Sequence, residues 1–500
     1  MIPKHTWLAV SIAVLLAFSA VPTFASNNHR QLVTSGSSLS KIIDELELLY
    51  DLYVSIKNIT GSNLFNGTAL EFATSALHLA AMQAFQTEKL QGGPAPASSK
   101  QLLSTLARDA NFTLAFTDAF VNSTDPAGVI SSVTGLPRQD ILAVSQADSL
   151  NIQPWYVAFD RNTSRIIVVS RGSTTSQDWL TDFTALTVVL QPGVGVHAGM
   201  LNSAKNLINA TSATVNGAAQ QQPGFSLAFI GHSLGAGVSC IATYLVKNGI
   251  SGGEVLSSLA SSVRGSCLST PPVLSMNACE AMSSYASTII FKDDVVPRAS
   301  VVNLEHLVML VAAVNNGMAG PALQKLDDVL VQRATQLGMT GMADADAPWN
   351  TTAVMMLFQD DMADKMVSDY MNMVTKHHKS LHKGLQSLMS KAADRVKKAG
   401  KTLGRRALLQ NGWNDPDYYT VPASYPVGRS LVFPLYQPGA LFQVLPDIWK
   451  TSVVVKQSTY TDRWDQILLK SDMITDHLVP NWLPLLNNYI AQLDKSSTRG

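Results

Sequence analysis

The stretch Phe225-Ser226-Leu227-Ala228-Phe229-Ile230-Gly231-His232-Ser233-Leu234-Gly235-Ala236-Gly237-Val238 decides the fold. A short apolar run gives way to a G-x-S-x-G turn, and helix-like Ile241-Ala242-Thr243-Tyr244-Leu245-Val246 follows, so the local order is strand, sharp turn, helix. A turn of this kind lifts a serine hydroxyl above the carboxyl edge of a sheet. Its glycines are needed because a Cβ there would collide with neighbouring backbone. Ser233 is therefore the candidate nucleophile. With glycine and serine each near roughly 7% of residues, the bare pattern arises by chance about 0.2 times in a chain of this length. The flanking strand and helix carry most of the specificity.

Outward from this turn, 500 residues with 46% hydrophobic content and a formal net charge of zero describe a globular chain of one large domain with additions, or of two domains. The charge balance gives no support to nucleic-acid binding. Lys4, an apolar run over residues 7–21 and Thr23-Phe24-Ala25 follow the pattern of a secretory signal, with cleavage expected after Ala25. The alternative is an uncleaved membrane anchor, although the run falls short of the roughly 20 residues that a spanning helix needs. Seven Asn-x-Ser/Thr sites (Asn58, Asn66, Asn111, Asn122, Asn162, Asn209 and Asn350) agree with an extracellular or lumenal destination. Three cysteines do not make a disulfide scaffold: Cys267 and Cys279 are the expected pair, Cys240 is expected to be a buried thiol, and three free thiols are the alternative. No cysteine–histidine spacing reads as a metal site.

Residues 1–25 are thus read as the signal or anchor and 26–138 as an N-terminal helical region, whose apolar repeat predicts a helical cap. From about residue 139 short apolar strands alternate with helical segments: 155–159, 165–170, 225–231, 264–269 and 287–292. That alternation predicts an α/β fold with a mostly parallel sheet covered on both faces. Residues 139–300 form the first part of the catalytic domain and 301–414 a methionine-rich, partly helical insertion. Residues 415–500 form the second part, with strands expected at 430–435 and 451–456 completing the same sheet.

A serine hydroxyl needs a histidine to take its proton, a carboxylate to orient that histidine and donors for the developing oxyanion. In folds with this elbow the chain order is serine, acid, histidine. Asp293 and Asp294 follow a predicted strand and supply the acid. His306 lies too near them, and His377, His378 and His382 sit in a cationic, solvated segment. His477 follows the last strand-like segment and is the candidate base, while His197 and His232 are expected to orient backbone or line the site.

Five ordered motifs, Arg171-Gly172-Ser173-Thr174-Thr175-Ser176-Gln177-Asp178-Trp179-Leu180-Thr181-Asp182, Val196-His197-Ala198-Gly199-Met200, Gly231-His232-Ser233-Leu234-Gly235, Asp294-Val295-Val296-Pro297-Arg298 and Asp476-His477, resemble those of class 3, fungal-type lipases. The segments Leu435-Tyr436-Gln437-Pro438-Gly439 and 465–477 are most similar to sn-1-specific diacylglycerol lipases. The resemblance implies an α/β-hydrolase fold with catalytic Ser233, Asp294 and His477, Asp293 being the alternative acid. It further implies an oxyanion hole from the backbone N–H groups of Ser173 and Leu234, and a structural Arg171–Asp182 pair. Trp179, Phe183 and Leu186 fall on one helical face at i, i+4 and i+7, in the stretch that class 3 lipases use as a lid. The activity implied is hydrolysis of di- or triacylglycerol esters at a membrane or oil–water interface, with no cofactor. Phospholipid or galactolipid acyl hydrolysis, a soluble carboxylesterase and an inactive lipid-binding protein are the alternatives. The insertion's cationic stripe around Leu385, Leu388 and Met389 reads as a solvated helix or as a surface that meets an anionic membrane.

Overall fold

The computed structural model describes residues 75, 76, 79, 100–149, 151–172, 187–313, 427, 428, 430, 431, 435–446, 453–458, 467–469 and 473–497. In chain order the elements are α1 (Lys100–Thr113), α2 (Asp118–Val121), α3 (Pro126–Thr134), β1 (Ile141–Ser145), β2 (Trp155–Asp160), β3 (Arg165–Ser170), β4 (Thr187–Gln191), β5 (Val194–His197) and α4 (Ala198–Gln221). They continue with β6 (Ser226–His232), α5 (Leu234–Asn248), β7 (Arg264–Leu268), α6 (Met276–Ala281), β8 (Ala286–Phe291) and α7 (Val301–Ala313). The last are β9 (Ser430–Leu431), β10 (Ala440–Pro446), β11 (Val453–Ser458) and α8 (Val479–Ser497).

Eight strands form the main sheet in the order β1-β2-β3-β6-β7-β8-β10-β11. The pairs from β3 through β6, β7 and β8 to β10 are parallel, and both edges are antiparallel. Every residue of β2, β3 and β8 is buried, which is why these strands read as continuous apolar runs rather than as alternating ones. The structure is therefore the α/β arrangement expected, and the strand at 225–231 lies within a residue of β6.

One expected strand sits elsewhere. Ser430–Leu431 pairs with β4 in a separate three-stranded sheet ordered β5-β4-β9, and β10, over residues where no strand was expected, lies beside β8. Gly439, at φ +82°, brings the chain so close to β8 that a Cβ would lie 2.4 Å from the carbonyl of Ala286.

Helices cover both faces. On one face Phe112, Phe120, Ile130 and Leu136 pack on Tyr156, Ala158, Ile167, Val169, Ala228 and Ile230, residues that alternate along their strands and so share a side. Beside them Leu103, Leu106 and Ala110 of α1 meet Trp482, Leu483 and Leu486 of α8 over Ile289, Phe291, Phe442 and Val444. Helices α4 and α5 pack together against the other side. Residues 100–134 lay their apolar faces on the sheet as part of its wall, while most of the N-terminal stretch expected to form a helical cap lies outside the described residues. The contacts divide the chain into two units, and the larger comprises Leu90–Val301, Asp417–Asp465 and Asp472–Gly500. In the other, the described residues Ser75, Ala76, Leu79, Leu304, Leu307, Val308, Leu310, Val311 and Ile467 to Leu469 are buried.

Cysteine pairing also departs from expectation. Cys240 of α5 is bonded to Cys267 of β7, with Cα atoms 6.1 Å apart, and Cys279 is a buried thiol. Cys267 lies opposite Gly231 in the sheet, so the helix after the elbow runs back over it. The Cys279 thiol instead points at the carbonyls of Leu274 and Tyr436, each at 3.4 Å.

Helix α1 is pinned to the sheet by charge as well as by apolar contact. Buried Arg165 donates to both oxygens of Asp109, at 3.1 and 2.6 Å, and to Asp160 at 2.9 Å. Ser266 donates to Asp109 at 2.6 Å, and Arg108 donates to Asp160. Burial pulls the guanidinium pKa of Arg165 down, but the two carboxylates outweigh it and hold that pKa above its usual value. Arg165→Met removes the cation and leaves two interior carboxylates, so urea unfolding should register a loss of about 3–5 kcal/mol. Adding Asp109→Leu should recover part of that loss. An Arg165→Met protein as stable as wild type would mean that the pairing carries no weight.

Candidate active site

The elbow forms where β6 ends and α5 begins. Ser233 stands between them at φ 58° and ψ −129°, a backbone region rarely occupied by residues with a side chain and held here by its surroundings. A Cβ on Gly231 would lie 2.1 Å from the carbonyl oxygen of Gly235, and one on Gly235 would lie 2.4 Å from the carbonyl oxygen of Ser170. Both positions therefore exclude any side chain. The N–H of Ser233 donates to Leu268 at 3.0 Å, and its carbonyl accepts from Ala236 and Gly237. Leu234 is the first residue of α5; an N–H at that position has no acceptor within its own helix and is aimed, with the helix dipole, toward the serine end.

Asp294 follows β8 and is fully buried. Its Oδ1 accepts from the N–H of Val296 at 3.0 Å. His477 ends a single 3₁₀ turn, Thr475–His477, directly before α8. Its Nδ1 lies 3.0 Å from Oδ1 and 3.1 Å from Oδ2 of Asp294. With Nδ1 committed to a carboxylate, the ring offers Nε2 as the proton acceptor. The carboxylate of Asp294, rather than that of Asp293, faces the ring.

His232 connects the elbow to the histidine turn. Its ring lies 4.5 Å from the His477 ring between centroids, and its Nε2 is 2.8 Å from the His477 carbonyl. A carbonyl only accepts, so Nε2 carries the proton and donates. Burial, with His477 close by, pushes the His232 pKa down to about 3. The neutral ring therefore acts as a backbone strut.

The other expected residues fall as follows. His197 caps α4, its Nδ1 accepting from the N–H of Met200 at 3.2 Å, and His306 lies on α7. Arg171 pairs with Asp148 and donates to the carbonyl of Gly172, a partner that sequence reading did not anticipate. Asp182, the partner expected for it, lies outside the described residues, as do Ser173, Trp179, Phe183, Leu186, His377, His378, His382 and nearly all of the insertion. Among the described residues no cluster of three or more His, Cys, Asp or Glu could hold a metal ion. Two charged residues flanking the site, Lys292 and Asp476, went unassigned in the sequence. The one available signal was an aspartate directly before the histidine.

A mostly parallel sheet carrying an elbow serine at its carboxyl edge, with an acid and a histidine delivered by later turns, is the α/β-hydrolase fold. The family described as Lipase (class 3) matches residues 167–304. Diacylglycerol lipase-beta of Mus musculus is 28% identical over 188 residues, covering 36% of this chain and 26% of that protein. Secreted mono- and diacylglycerol lipase 1 of Fusarium solani is 37% identical over 97 residues, 19% of this chain and 29% of that protein. The chain thus spans between a quarter and a third of the length of these curated relatives. Among solved structures, the triacylglyceride lipase of Rhizomucor miehei matches with a TM-score of 0.34 and 22% identity over 41% of this chain and 76% of that one.

The desolvated, half-buried ring of His232 makes stability depend on pH. The unfolded chain takes up a proton near 6.5 that the folded one refuses until about 3. The stability contributed here is full above the unfolded value and is lost as pH falls through that window, by up to about 1.4 kcal/mol per pH unit. Urea unfolding between pH 7 and pH 4 should show a steeper fall for wild type than for His232→Asn. Equal slopes would remove the neutral, desolvated histidine from the account.

Proposed function

We propose that the chain is a serine lipase that cleaves ester bonds of glycerolipids through an acyl-enzyme. The observation that carries the reading is the Asp294 carboxylate on Nδ1 of His477, in a turn tied by His232 to the serine elbow. The Ser233 hydroxyl attacks the ester carbonyl while Nε2 of His477 takes its proton, and the imidazolium is stabilised by Asp294. The oxyanion is received by the N–H of Leu234 and, in this reading, by that of Ser173. His477 then returns the proton to the departing glycerol oxygen. Water, deprotonated by the same nitrogen, releases the fatty acid. Trp179, Phe183 and Leu186 are assigned to a lid and the 301–414 insertion to access or surface binding. Di- and triacylglycerols are the proposed substrates, in keeping with the names of the relatives, and the lipid surface is the partner.

Ser233→Ala, Asp294→Asn and His477→Ala should each lower turnover of long-chain di- and triacylglycerol emulsions by about 10⁴-fold, without additivity, because the three act as a unit. Asp293→Asn should keep most activity. Full activity in His477→Ala would remove the assignment, and preference for short-chain soluble esters over emulsions would make the protein a carboxylesterase.

We also assign the chain to the secretory pathway, supported by the N-terminal pattern and the sequons. Among the described residues no helix is long and apolar enough to cross a membrane. Asn122, Asn162 and Asn209 are exposed, whereas Asn111 is half-buried and donates its amide to the carbonyl of Thr134. On protein secreted from a eukaryotic host, glycosidase treatment and mass mapping should find glycans at the first three and an unmodified Asn111. A glycan on Asn111 in folded protein would contradict the half-buried, hydrogen-bonded state of that amide, and bare asparagines at all three exposed sequons would count against the secretory assignment.

A further inference from the structure

Asp476 precedes His477, and Lys292 and Asp293 precede Asp294. These flanking residues make a second contact that runs beside the acid–histidine contact. One Asp476 oxygen accepts from the Lys292 ammonium at 3.0 Å, and the other accepts from the backbone N–H of Asp293 at 3.3 Å. Asp476 is buried, while Lys292 keeps 22% of its side chain exposed. Lys292 is itself fixed. It adopts φ +42°, its N–H donates to Val444 of β10 at 2.9 Å and its carbonyl accepts from Gln443 of the same strand at 2.9 Å. A further bond, from the N–H of Val295 to the carbonyl of Met473 at 3.2 Å, ties the two turns on their other side. The chain from β10 to Lys292 to Asp476 thus ends at the histidine.

We propose that Lys292 and Asp476 are positioning residues for His477: as a pair they hold the histidine turn against the acid turn and keep the charge around the ring balanced. The inference rests on the reading of His477 as the general base. Among the described residues, the charged or titratable groups on its turn, on the acid turn and against its ring include Asp294, Asp293, Asp476, Lys292 and the neutral His232. Lys292 offsets the anion that would otherwise stand next to the base. Losing the lysine alone leaves that carboxylate unbalanced and favours a protonated imidazole, whereas losing the carboxylate alone leaves an ammonium and disfavours it. A contact serving only to hold the two turns together would not produce opposite signs.

The test compares Lys292→Met, Asp476→Asn and the double variant, with Lys292→Arg as the conservative control and thermal unfolding to establish folding. The titration midpoint of the His477 ring is read by histidine-selective NMR, with His477→Gln to assign the signal. The acid limb of kcat/KM against pH is read on an ester substrate. The midpoint and the limb should move up in Lys292→Met and down in Asp476→Asn. Both should return near the wild-type position in the double variant, where kcat stays reduced about 10-fold or more because the staple is gone, whereas Lys292→Arg should resemble wild type. Shifts of the same sign, or no shift in folded single variants, would overturn the proposal. Because the NMR titration needs no turnover, a protein that cleaves no ester and resists a fluorophosphonate would count against the lipase reading alone.

Discussion

Backbone crowding at the elbow governs the rest of the structure. Strands β3 and β6 and helix α5 meet so closely that Gly235 packs on the carbonyls of Ser170 and Arg171, and Gly231 packs on Gly235. Only a parallel pair whose carboxyl ends finish side by side brings these atoms together, and β3 pairs with β6 up to Ser170 opposite Gly231. The strained serine follows from this geometry. The backbone on either side of Ser233 is held by Leu268, Ala236 and Gly237, so the cost of its dihedrals is spread over neighbouring hydrogen bonds.

The same sheet delivers the acid and the histidine. Asp294 stands just beyond β8, two strands from the elbow, and His477 stands at the head of α8. Trp482, Leu483 and Leu486 of that helix are buried in the core with α1. Anchoring the helix by its apolar face leaves the preceding turn little freedom. His232 and Asp476 remove more, one from the elbow side and one from the acid side. Preorganisation of this kind matters because misplacement by about 1 Å can reduce catalysis on the order of 10²-fold.

The wall formed by α1 unites apolar packing with buried charge. Asp109 and Asp160 hold Arg165 where transfer from water would otherwise be prohibitive, and each carboxylate has at least one further donor. Such networks tend to specify arrangement more than they add stability. Here the arrangement joins a helix that precedes the first strand to β3 and β7 at the centre of the sheet.

The amino-acid sequence by itself determined the features written in neighbouring residues. The elbow with Ser233 and the buried strands near 155–160, 165–170 and 226–232 were legible, because glycine placement and apolar runs act over a few positions. Tertiary structure decided whatever joins distant residues. It turned Asp294 rather than Asp293 toward a histidine 183 residues away, paired Cys240 with Cys267 across 27 residues and set Ser430–Leu431 in the small sheet with β10 in the large one. It also laid α1 on the sheet and brought Lys292 to Asp476. The physical reason is that either carboxylate, any two of the three cysteines and several apolar runs satisfy the local rules equally. Only the packed sheet, which fixes distances between strand ends, distinguishes among them.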